Sequence, residues 1–362
     1  MPVYGVAPIP FVEGAVTRPD GSAVSPAGEL AVQPRDGATT TRADGVAGSV
    51  GVPARGPRPV ETAFVLSGGG NRGACQVGML RALCERGVVP DLVVGSSIGA
   101  INAAIFAGQP SLEGTYLAAE MWRSVAVNDV FPKGRLHGSW RFVERREAVY
   151  PIEGLRRVVS GFLRFDRLED SLVPLTVVVT RLDDGVEEWL TEGPALEAVL
   201  ASAALPAIFP SVEREGRRYI DGGVVDNTPL SVALAAGAQR IYVLMCGGVN
   251  SRSVDVGRPY EALLVAFGLS IRTRLRRDLA SIPDDVDVVV LEQSGVEELT
   301  WQDFSRTEEL LERGYLDARV VLDRVESQLA ERGGIRPGAR WWSRTDGRPP
   351  LTRRKSRAER SG

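Results

Sequence analysis

The sequence predicts an α/β fold built on a mainly parallel sheet, and three observations lead there. Thr62–Ser67 and Leu92–Val94 are short apolar runs, each followed by a glycine-containing turn and then a helical pattern. Strand, helix, strand and helix therefore succeed one another within residues 62–106. Further dense apolar runs at 175–180, 240–246 and 286–291 read as buried strands. Stretches between them, at 112–122, 152–162 and 308–329, read as helices.

Taken in order, residues 1–60 are rich in Pro, Gly, Ala and Thr, with Asp-Gly pairs at 20–21, 36–37 and 44–45. This segment is expected to be disordered and to carry no chemistry. The folded part is expected over 61–332. Ala74–Glu85 follows the first strand as a helix: Val77, Leu80, Leu83 and Cys84 recur at helical spacing and Gly87 ends the run. A second helix extends from the turn after Leu92–Val94 to Phe106. Leu175–Thr180 and Val186–Leu190 are strands joined by a turn at Asp183-Asp184-Gly185. Pro194 starts a helix over Ala195–Leu205 and Pro206 ends it. Its small residues Ala201-Ser202-Ala203-Ala204 permit close backbone packing beneath a site. Arg218–Asp221 is a short strand, and a helix opens at Thr228-Pro229-Leu230. A strand at Arg240–Cys246, a helix over Arg258–Ser281, a strand at Val286–Leu291 and a helix over Glu308–Leu329 complete the series. From 333 to 362 the chain turns to Gly, Pro and Arg and reads as a basic tail.

Composition narrows the function classes. The 362 residues are 44% hydrophobic and 25% charged, enough for one large core or two modest ones. A net charge of −3 gives no overall attraction to nucleic acid, so no specific nucleic-acid partner is expected. No apolar run is long enough to cross a bilayer, and no basic segment followed by an apolar one opens the sequence. Cys75, Cys84 and Cys246 are spaced neither as a disulfide framework nor as a zinc site. These readings set the expectation of a cytoplasmic protein with reduced thiols. The single histidine, His137, means that a hydrolytic triad uses that residue or does without histidine.

Gly95-Ser96-Ser97-Ile98-Gly99 sits between a strand and a helix, where a sharp turn projects a serine hydroxyl outward; Ser97 is the candidate nucleophile. The other reading is a helix N-cap without chemistry. Gly68-Gly69-Gly70-Asn71-Arg72-Gly73 follows the first strand and precedes a helix. Its backbone N–H groups suit an anion, either a phosphate or the oxyanion of a tetrahedral intermediate. Gly68, Gly70 and Gly73 also fit a dinucleotide-binding loop, but Asp91, the acid near the right offset, starts the second strand rather than ending it. Asp221 ends an apolar run before Gly222-Gly223, where α/β proteins carry functional side chains. Asp226 reads as a turn and capping residue. His137 lies in a loop and precedes the acid in the chain, the wrong order for an α/β-hydrolase triad. The arginines at 272, 274, 276 and 277 read as an ordinary helix surface, with contact to an anionic membrane as the alternative.

With these blocks in view the chain resembles the patatin-like phospholipases, a family of lipid acyl hydrolases. Gly68–Gly73 is similar to the family's G-G-G-x-R-G loop, Gly95–Gly99 to its G-x-S-x-G elbow, and Asp221-Gly222-Gly223 to its D-G-G block. The resemblance implies a three-layer α/β/α fold and a Ser97–Asp221 dyad without catalytic histidine. It implies an oxyanion site around Gly69, Gly70, Asn71, Arg72 and Gly73, and hydrolysis of fatty-acyl esters such as phospholipids or lysophospholipids. It implies no metal or organic cofactor, and it is compatible with peripheral membrane contact. Two alternatives remain at this point: a dinucleotide-binding oxidoreductase using Gly68–Gly73, and a non-catalytic lipid-binding protein.

Overall fold

The computed structural model describes residues 59–132, 148–246, 259–293, 303–331 and 340–342. His137 and nearly all of the expected terminal segments lie outside the described residues.

The described strands form one sheet. In chain order they are β1 (Thr62–Leu66), β2 (Leu92–Ser96), β3 (Leu175–Arg181), β4 (Glu187–Leu190), β5 (Val212–Arg214), β6 (Arg217–Asp221), β7 (Arg240–Met245), β8 (Asp287–Glu292) and β9 (Arg340–Trp342). The helices are α1 (Ala74–Glu85), α2 (Ile98–Gly108), α3 (Leu112–Ser124), α4 (Val127–Val130), α5 (Glu153–Phe162), α6 (Ala195–Ser202), α7 (Leu230–Ala235), α8 (Pro259–Ser281) and α9 (Thr307–Glu331). The sheet runs β5-β6-β3-β2-β1-β7-β8-β9, with β4 also on β3. The pairs from β3 through β2, β1, β7 and β8 to β9 are parallel, whereas β4, β5 and β6 pair antiparallel. The fold is therefore α/β, with a mixed, mainly parallel central sheet flanked by helices.

Why the strands read as unbroken apolar runs is plain from burial. Phe64, Leu66, Val93, Tyr242 and Leu244 point into one core; Ala63, Val65, Val94, Ile241 and Val243 point into the other. Alternate residues serve opposite faces, and both faces are covered by helices, so both register positions are mostly apolar. α1, α2, α3, α5, α6 and α9 contribute to the first core, and α7 and α8 to the second.

One feature of the sheet positions the site. Val177 and Val178 of β3 pair with β2 on one edge and β4 on the other. Val179 and Thr180 pair with β4 and β6, so β6 occupies the edge that β2 has just vacated. Ser96 lies opposite Val178, and Asp221 lies opposite Val179. Strand register thus delivers the ends of β2 and β6 to the same spot.

The predicted elements were recovered with small shifts of boundary, except in four places. Val127–Val130 is a one-turn helix between the two expected over 112–122 and 152–162. Val212–Arg214 is a strand the pattern did not announce, because it is short and carries two charged residues. The helix from Ala195 ends at Ser202, before the residue that precedes Pro206. Arg340–Trp342, within the segment read as tail, pairs parallel with Val288–Val290.

Candidate active site

β2 ends at Ser96 and α2 begins at Ile98, so Ser97 alone makes the turn. Its φ of 56° and ψ of −128° lie where a β-carbon is disfavoured. The turn needs glycine on both sides. A β-carbon at Gly95 would stand 2.5 Å from the Gly99 carbonyl oxygen, and one at Gly99 would stand 2.3 Å from that of Leu66. The strained peptide is held from below: Ser97 N–H donates to Ser202 Oγ (2.9 Å), which in turn donates to the Val178 carbonyl (2.6 Å). Ser202 is fully buried. The small Ala-Ser-Ala-Ala segment does lie beneath the site, and its serine is an anchor that volume alone did not reveal.

Ser97 Oγ donates to Asp221 Oδ2 at 2.6 Å. Asp221 is only 2% exposed. Its other carboxylate oxygen accepts the Gly223 N–H at 2.7 Å, and Thr180 Oγ1 donates to its backbone carbonyl. Burial pushes the Asp221 carboxyl up to about 7, against the lowering effect of the Ser97 and Gly223 hydrogen bonds. A carboxylate that titrates near neutrality is matched to taking a proton from a hydroxyl and returning it.

The glycine loop closes the third side. Gly68 N–H donates to the Asn227 carbonyl (3.0 Å), and Asn227 Nδ2 donates back to the Gly68 carbonyl (3.3 Å). A β-carbon at Gly68 would stand 2.3 Å from Asn227 Oδ1 and 3.0 Å from Ser97 Cβ, so only glycine brings the loop this near the serine. Gly70–Gly73 form a 3-10 turn that runs into α1. A buried chain of amides fixes that turn. Trp122 Nε1 donates to Asn102 Oδ1, and Asn102 Nδ2 donates to the Gly73 carbonyl and to Gln76 Oε1, each at 2.9 Å. Gln76 Nε2 donates to the carbonyls of Ser67 (2.8 Å) and Leu244 (2.9 Å). Sequence reasoning missed this network; its signal was a polar residue inside each of two apolar helices.

Ser97, Asp221, Gly70 and Asn71 open onto a cavity of about 120 Å³. Its walls are otherwise apolar, with Ile98, Ile101, Trp122, Phe131, Phe209 and Phe304 among them. Asn71 Nδ2 ties the loop to the Asp303 carbonyl at 2.5 Å, next to Phe304. Of the other loop residues, Gly73 lies beneath Ile98, and Gly69 and Arg72 do not line the cavity.

The remaining candidates separate from this centre. Asp91 Oδ2 accepts the Glu61 and Thr62 N–H groups at the start of β1, the opposite end of the strand from the glycine loop. The acid that a dinucleotide site would need is therefore not beside the loop. Asp226 accepts the Thr228 N–H, as a turn residue does, but it also pairs with Arg274. Arg274 is thus not the solvent-facing arginine that the helix pattern indicated: burial of Asp226 drew it inward. Among the described residues no cluster of His, Cys, Asp and Glu is placed to hold a metal ion.

The family model described as Patatin-like phospholipase matches residues 64–234. Lysophospholipase NTE1 of Mycosarcoma maydis is 28% identical over 288 residues, 72% of this chain and 14% of that protein. Patatin-like phospholipase domain-containing protein 7 of Mus musculus is 30% identical over 214 residues, 57% of this chain and again 14% of that protein. This chain thus spans about one seventh of the length of these relatives. Among solved structures, VipD from Legionella pneumophila is similar at a TM-score of 0.39 and 15% identity, covering 74% of this chain and 67% of that one. Residues 64–234 form a patatin-like phospholipase domain.

Proposed function

We propose that the protein hydrolyses fatty-acyl esters of lipids, with Ser97 as nucleophile and Asp221 as general base. The observation that carries this reading is the 2.6 Å hydrogen bond from Ser97 Oγ to Asp221 Oδ2 at the mouth of an apolar cavity. The patatin-like domain over residues 64–234 and the lysophospholipase and phospholipase names of its relatives support it. Asp221 accepts the Ser97 proton as Oγ attacks the ester carbonyl. Backbone N–H groups of Gly70 and Asn71, the loop residues that line the cavity, with that of Ile98, stabilise the oxyanion. The proton passes to the leaving alcohol or lysolipid. Water then attacks the acyl-enzyme, with Asp221 again as base. The acyl chain occupies the cavity between Trp122 and Phe209, which among the described residues offers it no polar partner beyond the reacting groups and Asn71. The substrate class, phospholipid or lysophospholipid, implies peripheral contact with a lipid surface. Among the described residues no helix is long and apolar enough to cross a membrane.

A panel of acyl esters, lysophospholipids and phospholipids tests the reading, with product release followed by mass spectrometry. We expect turnover of fatty-acyl esters by the wild type and none above background for S97A. Equal turnover by S97A overturns the assignment of the nucleophile. Lipid binding without any acyl-enzyme overturns the hydrolase reading altogether.

A further inference from the structure

The turn after Asp221 is in contact with both halves of the site. Gly223 N–H holds the Asp221 carboxylate, and Asn227 is hydrogen-bonded to Gly68 through both its carbonyl and its side chain. Val225 and Asp226 stand between those two contacts, and both of their N–H groups donate to the Gly222 carbonyl. A displacement of residues 223–227 therefore moves the base and the near end of the glycine loop together.

From outside, this turn is gripped by one side chain. Arg274, on α8, donates through Nη1 to the Val225 carbonyl (2.7 Å) and through Nη2 to Asp226 Oδ2 (2.8 Å) and Glu187 Oε2 (3.1 Å). Its Nε lies 3.4 Å from Asp278. Asp226 is 1% exposed and is further held by Ser231 Oγ and the Thr228 N–H. Glu187 belongs to β4, which is paired to β3, the strand that also carries the ends of β2 and β6. A planar guanidinium meets a carbonyl and two carboxylates at fixed angles, which an ammonium cannot do. A carboxylate left alone at the Asp226 position would stay neutral or pull the turn toward solvent.

We infer that Arg274 and Asp226 are positioning residues: their contacts at Val225 hold the turn that sets Asp221 and Gly68 at their working distance from Ser97. The inference rests on the dyad reading above. Neither residue touches substrate. The cavity lining does not include them, so their loss acts on the chemical step rather than on binding.

The experiment compares wild type, R274M, R274K and the double variant D226N/R274M on one soluble fatty-acyl ester, with kcat and KM measured separately and folding checked by thermal melts. R274M is expected to lose on the order of 10-fold in kcat with KM within about twofold, because misplacing a reacting group costs rate before it costs affinity. R274K is expected to recover part of the loss. D226N/R274M, which leaves no lone buried charge, is expected to exceed R274M in kcat. If a folded R274M keeps wild-type kcat, or if kcat falls only in proportion to the unfolded fraction, the ion pair is structural and the inference fails. Where R274M does not fold, D226N/R274M decides on the same terms. Failure of the dyad reading is separate: it appears as undiminished turnover in S97A.

Discussion

Asp221 and Asp226 lie on the same short stretch of chain, both almost wholly buried, and burial pushes both carboxyls up to about 7. Their surroundings differ. Asp221 faces a serine hydroxyl, a backbone N–H and an apolar cavity, with no cation in contact among the described residues. Asp226 faces Arg274, with Glu187 and Asp278 opposing that help. Burial alone therefore does not make a carboxylate a base. Each accepts from a serine hydroxyl, but the Ser97 hydroxyl of Asp221 opens onto the cavity, whereas Ser231 and Asp226 do not line it and Asp226 is held by a guanidinium that stays charged.

The largest effect that would sharpen this contrast is on turnover. D221N should lose at least about 10²-fold in kcat, the scale of a general-base contribution. The wild-type acid limb should be centred near 7, with activity falling as Asp221 is protonated below it. A D221N variant with wild-type kcat would put both aspartates in the same structural role.

Stability provides a second test, with opposite signs at the two sites. A carboxyl raised to about 7 from its ordinary 3.8 binds more protons folded than unfolded between those values. Its contribution to stability is present below the lower value and lost as pH rises through the upper one. D221N removes that cost, so its Tm at about pH 8 should rise by about 2 °C, the scale of ~1 kcal/mol in a domain of this size. R274M strips Asp226 of its cation, so its Tm should fall at about pH 8, and the deficit should shrink at about pH 5 as Asp226 protonates. Equal signs for the two variants in thermal melts would erase the distinction. The smallest expected effect is that of H137A, whose kcat should stay within about threefold of wild type, since a carboxylate base needs no histidine. Loss of turnover in a folded H137A would return the base to histidine.

Much of the catalytic corner was legible in the sequence because sharp turns restrict composition. Gly95 and Gly99 are dictated by backbone contacts, and Asp221 by the end of a strand, so both left a readable pattern. The bounds of Ala74–Glu85 were legible because a glycine stands at each end. What lay beyond reading was long-range pairing. Nothing near Arg274 in the chain announces Asp226, 48 residues away, and its helix looks like any exposed arginine-bearing surface. Ser202 and Asn102 are polar residues among alanines whose partners lie 105 and 20 to 29 positions distant. The edge that β6 takes over from β2 is a matter of strand length, which local patterning does not encode.

The most direct test of the account is covalent labelling of the wild type, S97A and D221N by an activated-serine probe, mapped by peptide mass spectrometry across pH. The account predicts one adduct, on Ser97, forming faster as pH rises through about 7, absent from S97A and slower by at least about 10²-fold in D221N. Labelling of S97A equal to wild type, or a D221N rate and pH dependence unchanged from wild type, would contradict it.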